Sequence, residues 1–153
     1  MIYILTALKA EAQAFVDKYK LKQYKNEDIE VIITGIGADT MSKKTSQTLK
    51  KLSKDDIVIN VGICGASKNY NIGELIDARY IDITCIDYEM TKDIYDVVDM
   101  ESAGFLEATN GFKNSFIFKV VSDHFEPQTV SKDMAKKLIF NQIDEIMKRV
   151  KNG

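Results

Sequence analysis

The chain has few of the residues that build disulfide frameworks or metal centres. It contains two cysteines, one histidine and one proline in 153 residues. Cys64 and Cys85 lack the spacing of a metal-binding motif, and with a single histidine they make a zinc site implausible. We therefore expect two free thiols in a reducing cytoplasm and no zinc site.

Long apolar runs and an excess of positive charge are also absent. The net charge is −2, which leaves no basic surface of the kind that binds nucleic acid. No apolar run approaches the roughly 20 residues that a membrane-spanning helix needs. The chain does not open with a basic segment and cleavage site typical of secretion. We expect no nucleic-acid partner, no membrane partner and a cytoplasmic location.

The composition is that of an ordinary globular domain. Hydrophobic residues make up 45% of the chain and charged residues 29%. A chain of this length fits one domain, residues 1–153, and buries roughly 70% of its unfolded surface. No linker or internal repeat divides it.

Apolar runs rich in β-branched residues alternate with amphipathic stretches. The predicted strands are Ile2–Thr6, Glu30–Thr34, Ile57–Val61, one long or two short strands within Leu75–Ile86, Ile94–Val98 and Ser115–Val121. The predicted helices are Leu8–Tyr19, Ala38–Leu52, a helix from Asp99 as N-cap to Asn110-Gly111, and a long terminal helix capped by Ser131. This alternation predicts a three-layer α/β/α sandwich with a mostly parallel central sheet, mixed if the segment after Leu75 pairs antiparallel.

Two glycine-containing segments follow predicted strands. Gly35-Ile36-Gly37 is either a plain tight turn or a close backbone approach to a ligand, and Thr40 breaks the dinucleotide-binding G-x-G-x-x-G pattern. Gly62-Ile63-Cys64-Gly65-Ala66 is predicted to be a tight loop. Backbone N–H groups in such a loop can face an oxygen-rich ligand.

Three acidic residues stand near the ends of predicted strands, where open α/β sheets bind ligands. Glu11 has a plain interpretation as an acid that complements the N-terminus of its helix. Glu101 and Asp123 can likewise be a helix-start acid and a loop acid. Asp123, however, comes just after the largely apolar run Phe116–Val121, with only Ser122 between them. We expect it to be partly buried and therefore suited to proton donation.

Met100-Glu101 and Ser122-Asp123 together resemble the ribose- and base-binding pair of the superfamily of purine nucleoside phosphorylases and 5′-methylthioadenosine/S-adenosylhomocysteine nucleosidases. The segment from Thr6 to Glu11 and the two glycine segments are similar to other motifs of these enzymes, in the same order. The resemblance spans nearly the whole chain and implies their fold.

The resemblance also implies a role for each motif. Asp123 would give a proton or a hydrogen bond to N7 of a purine, and Glu101 would bind the ribose 2′- and 3′-hydroxyls with Met100 against the sugar. Glu11 would activate the attacking water as general base. The other positions that it places against the substrate are Ile63, Cys64, Gly65, Ser122, Tyr88 and Met90.

Three features of the chain keep alternatives open. Ile63 stands where these enzymes have a serine, and the chain has only two arginines, Arg79 and Arg149, for phosphate. The chain is also shorter, so that Tyr88, Glu89 and Met90 are the expected remainder of the base-binding wall. Three possibilities follow for a pocket that lacks part of this wall: a partner subunit completes it, the pocket accepts a different ligand, or the pocket is inactive.

The resemblance therefore implies an N-ribosyl hydrolase that acts on a purine nucleoside such as 5′-methylthioadenosine, S-adenosylhomocysteine or adenosine. We expect this reaction to need no metal and no cofactor. We expect a homodimer, because related enzymes are dimers or larger. The near alternative is a purine nucleoside phosphorylase. The alternative of another class is an inactive nucleoside-binding or structural protein on the same fold.

Overall fold

Seven strands form one sheet at the centre of the molecule. The computed structural model describes residues 1–153. Its strands are β1 (Ile2–Thr6), β2 (Ile29–Ile33), β3 (Ile57–Ala66), β4 (Leu75–Asp77), β5 (Thr84–Cys85), β6 (Val97–Asp99) and β7 (Ser115–Asp123). Its helices are α1 (Lys9–Tyr19), α2 (Ala38–Leu49), α3 (Ser102–Ala108) and α4 (Lys132–Asn152), with a 3₁₀ turn at Pro127–Thr129. None of these helices combines the length and apolar character required to cross a membrane.

The sheet is mostly parallel with antiparallel additions. β1 lies between β2 and β3, parallel to both, and β3 is parallel to β7. β5 is parallel to β6. β4 pairs antiparallel with β7, and β6 pairs antiparallel with the end of β3. The predicted mixed sheet is confirmed, including two short strands between residues 75 and 86.

Helices cover both faces of this sheet. Ala12 and Phe15 of α1 and the apolar face of α4 pack on one side. Met41 of α2 and Phe105 of α3 pack on the other. The backbones of α2 and α3 touch there, since a Cβ on Gly104 would lie 1.9 Å from the carbonyl oxygen of Ala38. The three-layer α/β/α architecture is confirmed.

One edge of β3 is shared by two different strands. β1 pairs with β3 only from Ile57 to Asn60, and β6 joins that strand only at Gly65 and Ala66. The opposite edge pairs with β7 along nearly its whole length. Residues 61–64 therefore have no strand partner on one side. This gap in the sheet opens into the candidate site.

The structure differs from the sequence prediction chiefly at the second glycine segment. Gly62–Ala66, predicted to be a tight loop, instead continues β3, with an irregularity in register between Cys64 and Gly65. The predicted helix to Leu52 ends earlier, at Leu49, and the strand predicted over Ile94–Val98 is Val97–Asp99. Smaller boundary shifts occur around α3.

The start of α3 shows why its predicted N-cap was displaced. The helix begins at Ser102 rather than directly after Asp99. The Asp99 carboxylate nevertheless accepts a hydrogen bond from the backbone N–H of Ser102 at 2.9 Å. It thus serves a free N–H group at the helix start, as a capping residue does, from two residues before the N-cap residue Glu101.

Candidate active site

A cavity of about 750 Å³ lies where the carboxyl ends of β1, β3, β6 and β7 meet. All ten predicted site residues line it: Glu11, Ile63, Cys64, Gly65, Tyr88, Met90, Met100, Glu101, Ser122 and Asp123. The first turns of α1 and α4 complete the lining and contribute Lys9, Lys132 and Lys136. The ten predicted residues, which come from five segments distant in sequence, thus share one pocket of a size that suits a small ligand.

Glu11 closes the gap in the edge of β3. It stands in the first turn of α1 and is 2% exposed. Its Oε2 accepts the Ile63 backbone N–H at 2.8 Å, and its Oε1 accepts the Leu8 N–H at 2.9 Å. Burial raises the pKa of Glu11 to about 7, although Lys119 and these two N–H groups act in the opposite direction. A carboxyl group with this pKa can take up and release a proton near neutral pH.

Glu101 is held against the first glycine turn. Its Oε2 accepts the backbone N–H of Gly37 at 2.9 Å, and the residue is 7% exposed. Its Oε1 accepts no hydrogen bond from the protein and is not sealed in the interior. One oxygen is thus anchored while the other is free for a ligand hydroxyl. The turn at Gly35-Ile36-Gly37 is therefore more than a plain connection between β2 and α2.

Asp123 ends β7 with a fixed orientation. Its Oδ1 accepts the hydroxyl of Ser122 at 2.6 Å, and its Oδ2 accepts the backbone N–H of Glu126 at 2.9 Å. Gly65 lies opposite, where a Cβ would approach Asp123 Oδ2 to 3.7 Å. The neighbouring His124 contacts the carbonyl oxygen of Ala66 through Nδ1 at 3.0 Å, which is a local contact.

A buried ion pair beneath the acids is the main feature that the sequence analysis missed. Lys119 lies in the middle of β7 and is fully buried. Its Nζ is 3.0 Å from Oδ2 of Asp99. Desolvation acts to lower the pKa of Lys119, but Asp99, Glu101 and Glu11 outweigh it and hold the group charged. A lysine within an otherwise apolar strand was the available signal.

Apolar residues form one wall of the cavity beside Asp123. Met90, Val98 and Phe125 make a buried cluster, with Ile86 and Tyr95 packed against it. Tyr88 lines the cavity but is 55% exposed. Met90 is thus a fixed part of the wall, whereas Tyr88 stands at its mouth.

The remaining predicted residues shape the floor of the cavity. Ile63 presents no hydroxyl, and its N–H is already bonded to Glu11. Cys64 is a buried free thiol whose pKa is raised by burial, so it stays protonated and is a poor nucleophile. No cluster of three or more His, Cys, Asp or Glu side chains is placed to hold a metal ion.

Comparison by sequence gives no relatives, since no protein-family profile and no curated protein matches the chain. Solved structures do match. A 5′-methylthioadenosine/S-adenosylhomocysteine nucleosidase from Neisseria meningitidis, in complex with methylthio-immucillin-A, aligns with a TM-score of 0.75 at 15% identity. This alignment covers 97% of this chain and 98% of that one.

Two further structures extend the likeness. The nucleosidase of the same name from Colwellia psychrerythraea, in complex with adenine, aligns with a TM-score of 0.69 at 16% identity, covering 94% of each chain. Futalosine hydrolase of Helicobacter pylori aligns with a TM-score of 0.69 at 15% identity, covering 94% of this chain and 97% of that one. The fold implied by the sequence resemblance is therefore confirmed.

The raised pKa of Glu11 predicts a pH dependence of stability. Between the ordinary value of 4.5 and the folded value of about 7, the folded protein holds a proton that the unfolded chain has lost. The stabilisation by neutral Glu11 is therefore complete below pH 4.5 and is lost as pH rises through 7. Relative to Glu11→Gln, the unfolding free energy of the native protein should fall by about 3 kcal/mol over this range.

Urea denaturation of both proteins from about pH 4 to about pH 8 measures this difference. The hydrogen bond that Glu11→Gln alters is altered equally at every pH. The part of the difference in unfolding free energy that changes with pH therefore reports the ionisation of Glu11. Glu107→Gln, an exposed position on α3, is the matched control and should follow the native protein throughout. A constant offset between native protein and Glu11→Gln would show that Glu11 does not titrate in this range.

Proposed function

We propose that the protein is a cytoplasmic N-ribosyl hydrolase that cleaves the glycosidic bond of a purine nucleoside. The observation that carries this proposal is the convergence of Glu11, Glu101 and Asp123 on one cavity. The three acids differ in environment, so each can take a different task. The structures of similar fold support the choice of ligand, since one holds methylthio-immucillin-A and another holds adenine.

Asp123 acts on the leaving base. Cleavage of an N-ribosyl bond passes through an oxocarbenium-like transition state, in which electrons move from the sugar onto the base. A proton or hydrogen bond from Asp123 to N7 takes up that negative charge. Ser122 and the Glu126 N–H fix the carboxyl orientation, so the group needs no reorganisation during the reaction.

Glu101 and Met100 position the ribose. The free Oε1 of Glu101 accepts hydrogen bonds from the 2′- and 3′-hydroxyls, and charge-assisted bonds of this kind are roughly twice as strong as neutral ones. The bond from Gly37 to Oε2 keeps the side chain in place before the substrate arrives. Met100 packs on the sugar face.

Glu11 serves as the general base. In its ionised form, present above pH 7, it takes a proton from a water molecule that attacks C1′. The C1′–N bond breaks as the C1′–O bond forms, the water proton passes to Glu11, and the base leaves with the proton supplied by Asp123. The products are the free purine and the free sugar.

Hydrolysis is favoured over phosphorolysis by the placement of the arginines. Arg79 and Arg149 both bind Asp77, at 2.7 Å and 3.4 Å, and neither lines the cavity. The residue in the serine position is Ile63, which offers no hydroxyl to a phosphate. The attacking group that this arrangement suits best is water.

The decisive experiment measures base release from 5′-methylthioadenosine, S-adenosylhomocysteine and adenosine with and without phosphate. We expect adenine to appear without phosphate, together with a sugar that carries no phosphate. Turnover only with phosphate, giving a sugar 1-phosphate, would establish a phosphorylase. Tight binding of adenine without any turnover would establish an inactive nucleoside-binding protein.

The division of labour between the acids predicts different kinetic defects. Asp123→Asn keeps the shape but removes the proton donor, so kcat should fall about 10²–10⁴-fold with little change in nucleoside affinity. Glu101→Gln should raise KM as well, because a neutral acceptor replaces an ionised one. Glu107→Gln, the same change on an exposed face of α3, should match the native enzyme. Full activity in Asp123→Asn would contradict the scheme.

We further propose that the enzyme is a homodimer whose partner covers the cavity mouth. Ile36 and Tyr88 both line the cavity, and they are 59% and 55% exposed. Apolar side chains in such positions favour a protein contact over open water. Light scattering should give twice the 17.3 kDa mass of the chain, whereas a monomer at all micromolar concentrations would remove this part of the proposal.

A further inference from the structure

A buried lysine must be neutralised, and the structure offers three carboxylates for the task. Lys119 is sealed between the sheet and α1 in the neighbourhood of Asp99, Glu101 and Glu11, all of which stabilise its charge. Only Asp99 lies within salt-bridge distance, at 3.0 Å. It matters which carboxylate pairs with Lys119, because the Glu11 carboxylate can accept a proton from water only if the ammonium does not occupy it.

Gly62 shows how close the competing partner is. A Cβ on this residue would lie 2.9 Å from Oε2 of Glu11 and 3.2 Å from Nζ of Lys119. The two charged groups thus lie on the same face of β3, around the space that a side chain at residue 62 would fill. Because Gly62 places no side chain in this space, a small movement of the ammonium would bring it into contact with Glu11.

Asp99 is itself held by several donors. Its Oδ1 accepts the Ser102 hydroxyl at 2.6 Å, and its Oδ2 accepts the N–H groups of Ser102 and Glu101 at 2.9 Å and 3.3 Å. These bonds connect the ion pair directly to the backbone of Glu101. The position of the Asp99 carboxylate therefore affects the positions of both the Lys119 ammonium and Glu101, the proposed ribose-binding residue.

We propose that Asp99 is a positioning residue that keeps the Lys119 ammonium away from Glu11 while it fixes the backbone of Glu101. This inference rests on the proposed function for the meaning of Glu11 as a base. Without Asp99, Glu101 and Glu11 are the two carboxylates left beside the ammonium. A shift toward Glu11, whose Oε2 adjoins the same space at Gly62, pairs the two groups and occupies the oxygen that water would use. The base is then weaker although every group that touches substrate is still present.

The other charged groups around the cavity do not compete for Glu11. They are Lys9, Glu89, Asp123, Lys132, Asp133 and Lys136. None of them forms an ion pair or a hydrogen bond with Glu11. Lys136 is paired with Asp17. Lys119 is the one cation that acts strongly on the charge of Glu11.

The test is Asp99→Asn in the full chain, with two readouts. Side-chain carboxyl NMR of Glu11 in the absence of ligand should show its pKa lowered by about one unit or more, as expected when an opposite charge moves into contact. In the assay, the acidic limb of the rate profile should move down by the same amount, and kcat should fall about tenfold or more. An unchanged Glu11 pKa would overturn the proposal, whether or not the protein turns over a nucleoside.

Two further variants separate positioning from simple damage. Ser102→Ala removes the hydroxyl bonded to Asp99 but leaves the ion pair, so it should raise KM without moving the Glu11 pKa. Asp99→Asn with Lys119→Met leaves no buried unpaired charge, and it should shift the Glu11 pKa upward, opposite to the single variant. This double variant tests the premise that the Lys119 charge acts on Glu11 even if Asp99→Asn alone fails to fold, and a Glu11 pKa that does not rise contradicts the inference.

Discussion

The site depends on the short stretch of β3 that has no neighbouring strand on one edge. β1 leaves β3 after Asn60, and β6 reaches it only at Gly65. A buried backbone N–H without a partner is costly, so this gap must be filled by another acceptor. The carboxylate of Glu11 supplies it at Ile63. A requirement of the sheet thus places an acid beside the carboxyl ends of the strands.

Because Glu11 is buried, its ionised form is stable only if other charged groups lie nearby. An isolated ionised carboxylate in the interior is strongly disfavoured, and removal of one partner of a buried pair typically costs about 3–5 kcal/mol. Lys119 offsets the charge of Glu11 and Glu101, and Asp99 in turn holds Lys119. The network is therefore a connected set in which each charge depends on the next. Replacement of any single member should affect the others.

The sequence predicted most elements because their signals are local. β-branched runs such as Ile57–Val61 and the periodic apolar face of α4 are read directly from the chain. Gly62–Ala66 was predicted wrongly because glycine is usually evidence for a turn. Here glycine is needed for space, since Glu11 and Lys119 leave no room for a Cβ at residue 62. The Asp99–Lys119 pair joins two separate strands, and nothing local to either residue reveals the partner.

At neutral pH, stability of the fold and the proposed catalysis require opposite protonation states of Glu11. As a neutral acid it is better tolerated in the interior, because burial raises its pKa to about 7. As the proposed base it must be ionised, which removes that stabilisation. Activity and stability therefore respond to pH in opposite directions through the same group. Because the two backbone N–H bonds persist in either state, the fold keeps the side chain in place while its charge changes.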